Sequence, residues 1–152
     1  MSNPMSVERR IFITNRIRTL EGNKEARRIR IQVQEENIET LRTQRNAINN
    51  ALIETMHDNI ASSVSFVSYN DYCGDNREKN AERVEEIRVA LRDQRRDHER
   101  NRATIDTEIT RLENSNSDLR NSNSADLLDI TNFKSEWFRA FNMSFPHFWG
   151  GV

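Results

Sequence analysis

Apolar residues return at heptad spacing along two separate stretches of this chain, and that repeat leaves few folds open to it. In the first stretch Ile31, Ile38 and Leu52 share one heptad position, and Leu41 and Ile48 share its partner. In the second, one position reads Val84, Leu91, His98, Ile105, Leu112, Leu119, with Ile87, Ala90 and Ile109 widening the stripe. Side chains seven apart lie on one helix face, so each stretch predicts a long α-helix with a single apolar seam. Between them, Tyr69–Glu78 holds the lone glycine between Gly22 and Gly150, both tyrosines and the sole cysteine. It reads as the bend where the chain turns back. The predicted fold is all-α: a long, coiled-coil-like antiparallel helical hairpin.

Composition agrees with a seam rather than a thick core. The chain has 152 residues, 35% hydrophobic and 31% charged, with four glycines and two prolines to interrupt helices. That supports one helical domain whose arms cover a narrow apolar stripe. The expected parts are a first arm over 8–60 with a break near Gly22, a bend over 61–75, a second arm over 76–119, and an aromatic C-terminal helix over 125–145. Ser6 is a candidate N-cap, and Asp75 with Glu78 has capping-box spacing for the restart. The Asn-Ser-rich stretch 113–124 reads as a frayed helix end or linker. Polar residues Arg27, Gln34 and Arg45 interrupt the first seam and are expected to specify its register. A fold-back centred on residue 68 would set Leu52 opposite Val84, Ile38 opposite His98, Ile31 opposite Ile105 and Ile17 opposite Leu119. Each arm would then measure roughly 55 Å.

Residues that could carry chemistry are scattered. His57, His98 and His147 are far apart, and neither a metal-ligand spacing nor a nucleophile or phosphate-loop motif is present. A single cysteine, Cys73, excludes an internal disulfide and a multi-cysteine zinc site. Glu85, Glu86, Asp93 and Asp97 alternate with arginines at helical spacing, as ion-pair faces do. The expectation is a protein without enzymatic activity, cofactor or metal.

Net charge is −1, so no global field draws the chain to nucleic acid. The segment Arg9–Arg30 does hold eight basic residues against Glu21 and Glu25. It lacks interleaved aromatics to stack on bases, which favours a solvated helix face. No apolar run is long enough for a membrane span or of signal-peptide type, so the chain is expected to be cytoplasmic as made, with any export independent of a cleaved leader.

The last part of the chain concentrates aromatics: seven of eleven lie from Phe133 to Trp149. Phe133, Trp137 and Phe141 recur every fourth residue, one helical stripe, with Phe138, Phe145 and Trp149 beside or beyond it. They are candidates for packing on the hairpin or for docking a partner. A second apolar edge (Ile29, Val33, Ala47, Met56 and Ile109) would also need another helix to cover it.

Two long helices joined at an aromatic-x-Gly triplet, here Tyr72-Cys73-Gly74, resemble the Trp-x-Gly (WXG) superfamily of Gram-positive type VII secretion. The resemblance covers roughly residues 24–119, and in length it is most like the helical targeting partners of LXG toxins. It implies a hairpin that bundles with a toxin's helical N-terminal domain, or with a second copy, and presents it for export. The sequence departs from the family in two ways. Tyrosine replaces the triplet's tryptophan, and the family's Tyr-x-x-x-Asp/Glu export signal is absent. The expected function is a binding partner or targeting chaperone. A structural coiled-coil component, of a phage or cytoskeletal particle, and a nucleic-acid-binding helical protein are the alternatives.

Overall fold

Both stretches are helical, and each helix is longer than its seam. The computed structural model describes residues 5–70 and 77–141, and side chains within 5–54, 78–79 and 81–140. Helix α1 runs Val7–Asn70 and helix α2 runs Arg77–Phe141; no strand occurs among the described residues. Their length follows from what is missing inside them: both prolines, Pro4 and Pro146, lie outside the two helices, and Gly22 is the one glycine within. Ser6 caps α1. Its Oγ accepts the Arg9 N–H at 3.1 Å, and its carbonyl accepts the Arg10 N–H at 3.1 Å.

Three expected interruptions do not occur. Helix α1 passes through Gly22 without a break, because one glycine costs a helix only about 1 kcal/mol relative to alanine. It also continues through 61–70, which were expected to belong to the bend. Helix α2 passes through the Asn-Ser stretch and onward to Phe141, so the aromatic helix is the end of α2 and no linker precedes it. Asp75 and the triplet Tyr72-Cys73-Gly74 lie outside the described residues.

Contacts group the chain into two compact units: residues 1–35 with 113–152, and 36–112. In the first unit Ile13, Ile17, Leu20 and Ile130 form a buried cluster, against which Met5, Phe133 and Trp137 pack. In the second, Ile38, Ile109 and Leu112 are buried, flanked by Leu41 and Ile105. Burying each such aliphatic side chain contributes about 1.5–3 kcal/mol.

Cross-helix partners reveal the register. In the first unit the α2 partner retreats from Glu136 through Asp126 and Asn123 to Ser115 as the α1 partner advances from Arg9 through Arg27 to Gln34. In the second, Arg45 pairs with Asp106 and Asn49 accepts from Arg102. The expected fold-back about residue 68 is therefore corrected. Ile38 packs with Ile109 and Leu112 rather than opposite His98, and Ile17 packs with Ile130 rather than opposite Leu119. The displacement is about two heptads. A heptad seam looks the same after a slide of seven residues on each arm, so apolar matching alone accepts either register.

Candidate functional site

Buried positions on α1 step by three and four residues: Ile13, Ile17, Leu20, then half-buried Lys24, Arg27 and Ile31, then Gln34 and Ile38. The α2 side answers with Ile109, Leu112, Asn116, Leu119, Asn123, Asp126 and Ile130, all buried or half-buried. In the first unit the middle of this seam is polar. Arg27 donates to Asp126 and, at 3.5 Å, to Asn123 Oδ1; Asn123 Nδ2 donates to the Lys24 carbonyl at 3.4 Å. Gln34 Nε2 donates to Ser115 Oγ at 3.3 Å, and Arg120 pairs with Glu35. Asn116 is only 2% exposed, and neither its Oδ1 nor Gln34 Oε1 accepts a hydrogen bond from the protein. Such a layer adds little stability, but a slide of one heptad would part Arg27 from Asp126 and Arg120 from Glu35.

Of the predicted seam residues, Ile38 and Leu112 are buried, and Ile31, Leu41, Ile48, Leu52, Val84, Leu91 and Ile105 are half-buried. Ile87 is a correction at 43% exposed. Ile109, read both as widening the seam stripe and as part of a second apolar edge, belongs to the buried cluster and not to the edge. Asn116 and Ile130 were not singled out beforehand. Both continue the three-four spacing of α2, a signal hidden by the polar composition of 113–124.

The aromatic stripe divides. Phe133 and Trp137 pack on the Ile13–Ile17–Leu20–Ile130 cluster, and Phe133 meets Phe12 edge-on at 6.1 Å between ring centroids. Phe138 is half-buried. Phe141 ends α2; Phe145 and Trp149 lie outside the described residues, and the side chains of Phe141, Met56 and His57 are outside the described side chains.

Arg9, Arg27 and Arg28 of the basic segment near the N-terminus have carboxylate partners. Arg9 forks onto Glu136 with two 2.9 Å hydrogen bonds and lies 5.0 Å from the Phe12 ring centroid. The arginine's hydrogen bonds hold the Glu136 carboxyl below the usual carboxylate range. Glu25 is lowered in the same way by Arg28. Arg27 is committed to Asp126 and Lys134 lies 3.5 Å from Glu21. The basic count of Arg9–Arg30 thus overstates the charge available to a phosphate backbone.

Exposed apolar residues on one face of α1 in the first unit form two patches, parted by Asn15 and Arg18. Val7, Ile11, Ile29 and Val33 fall on one helical face, and all four are exposed, Ile29 at 50% and Val33 at 49%. Gly22 and Ala26 lie between them on that face, and a Cβ at Gly22 would meet nothing within 4 Å. No cluster of three His, Cys, Asp or Glu able to hold a metal occurs among the described residues, and no described helix is long and apolar enough to cross a membrane. No family model matches this chain, and neither a curated protein nor a solved structure matches it.

Proposed function

We propose that this chain is an antiparallel helical hairpin acting as a non-enzymatic binding partner, with its exposed α1 stripe as the seat for a helix of another protein. The observation that carries this reading is the uncovered face Val7–Ile11–Ile29–Val33 on a helix whose opposite face is already filled. Apolar residues at helical spacing at both ends of this face, with small Gly22 and Ala26 beside Ile29 and Val33, suit close approach of a partner helix that accommodates Asn15 and Arg18 between them. Crossed pairings such as Arg9–Glu136 and Arg27–Asp126 support the antiparallel arrangement.

By its resemblance to the WXG superfamily, the partner is the helical N-terminal domain of a secreted toxin, and the role is targeting to type VII export. Phe133 and Trp137 then serve mainly as core, which leaves Phe141, Phe145 and Trp149 as the tail's contribution to docking. Site-specific photo-crosslinking in the native cell tests the reading. A crosslinker at Ile29 or Val33 should capture one helical protein in high yield, while one at exposed Arg42 should not. Equal labelling from both positions would sink the proposed face. Export is tested separately, by following the chain into the medium of cells with and without a working type VII system.

A further inference from the structure

The second unit carries a different uncovered surface, and its charges are arranged as a palindrome. Along one face of α2 stand Asp97, Arg100, Thr104, Glu108 and Arg111, spaced three, four, four and three residues apart. Asn101 and Thr107 flank the centre. Read outward from Thr104, every charge meets its opposite at equal distance: Arg100 mirrors Glu108, and Asp97 mirrors Arg111. Two copies of this face laid antiparallel about Thr104 would bring four opposite-charge pairs together. Laid parallel, they would set like on like.

The centre of the palindrome suits contact. The Thr104 hydroxyl donates to the Arg100 carbonyl at 3.1 Å and the Thr107 hydroxyl to the Ala103 carbonyl at 2.9 Å, so neither needs a partner from outside. Beside it runs a groove lined by Gln44, Ala47, Ile48, Asn101, Thr104 and Ile105, with no charged side chain and a mostly apolar surface. Desolvating such a groove costs little, and the ion pairs at its ends remain in water, where they set orientation more than affinity.

We infer that this groove is the seat of a second copy of the chain, joined two-fold and antiparallel along α2 about Thr104. An isologous contact requires a self-complementary patch, and the palindrome supplies one. The inference rests on the bundle-forming reading above and adds the second copy's position, on a unit different from the one that carries the α1 stripe.

The test exploits the existing pairs within the helix, Asp97 with Arg100 at 3.8 Å and Glu108 with Arg111 at 2.6 Å. The variant D97R/R100D keeps its intrahelical pair and its net charge, yet turns all four cross-copy pairs into like-charge contacts. E108R/R111E does the same from the other end. Light scattering over a concentration series should find the wild type dimeric, and each variant weakened in self-association by at least about tenfold with unchanged helicity. Mixed one to one, the two variants should recover wild-type association, because all four pairs are then opposite again. A wild type that stays monomeric at every concentration, or variants that dimerise like it, would overturn the inference. So would a mixture no tighter than its components. None of these outcomes touches crosslinking at Ile29 and Val33, so the two readings fail separately.

Discussion

Residues 113–124 and 81–94 make an instructive pair. The first stretch is Asn-Ser-rich and has the composition of a linker, yet it is continuous helix with Asn116 almost fully buried. The second carries the regular apolar positions Val84, Ile87 and Leu91, yet none is fully buried and Ile87 is 43% exposed. Polarity alone did not decide burial; position along the three-four spacing did. Asn116 and Asn123 continue the three-four spacing of the α2 seam, and Asn123 bonds Arg27 and the Lys24 carbonyl, whereas Ile87 falls outside the heptad position that Val84 and Leu91 share.

The contrast can be tested at four points. The largest effect is expected at the cluster that anchors the end of the polar layer: Ile17→Ala should cost about 2–5 kcal/mol in chemical denaturation, since Ile17 is 1% exposed. A loss below about 1 kcal/mol would mean that this cluster contributes little. Within the polar layer, Asn116→Leu should raise stability by about 1 kcal/mol, because it removes a buried acceptor without a protein donor. The same variant should relax register, read as new cysteine crosslinks one heptad away from the native pairs. A large destabilisation would show that Asn116 earns its place through contacts.

At the opposite pole, Ile87→Ser should change stability by less than about 0.5 kcal/mol, as for an exposed site. A loss of several kcal/mol would return Ile87 to the seam. The smallest effect is expected from acid. The Glu136 carboxyl is held low by Arg9, so its contribution is present at neutral pH and disappears as pH falls through its folded value, below the usual carboxylate range. Glu136→Gln should flatten that part of the pH–stability curve slightly, and high salt should mimic it because the pair is exposed. An unchanged acid limb would remove Arg9–Glu136 from the account.

Much of the fold was legible from spacing. Ile38, Leu41, Ile105 and Leu112 were placed in a seam by their repeat, and Ser6 was read as a cap from its position before the helix. The candidate surfaces were less legible. Ile29 and Val33 were read as an edge that needs another helix, and Ile109 was read both with them and in the seam, because its α1 neighbour Ile38 depends on the register. For Phe133 and Trp137 packing and docking stayed open as alternatives, since the cluster they pack on, with Ile13 and Ile17, lies more than a hundred residues away in sequence.

Helix, seam and cap follow from the sequence by itself, because each is set by residues within a few turns of one another. Register, the burial of Asn116 and the packing of Phe133 and Trp137 were decided only by tertiary structure. A heptad repeat is unchanged by sliding seven residues, so two registers bury similar apolar stripes. Arg27 with Asp126 and Arg45 with Asp106 break that degeneracy, and whether an arginine has a carboxylate opposite depends on the register itself.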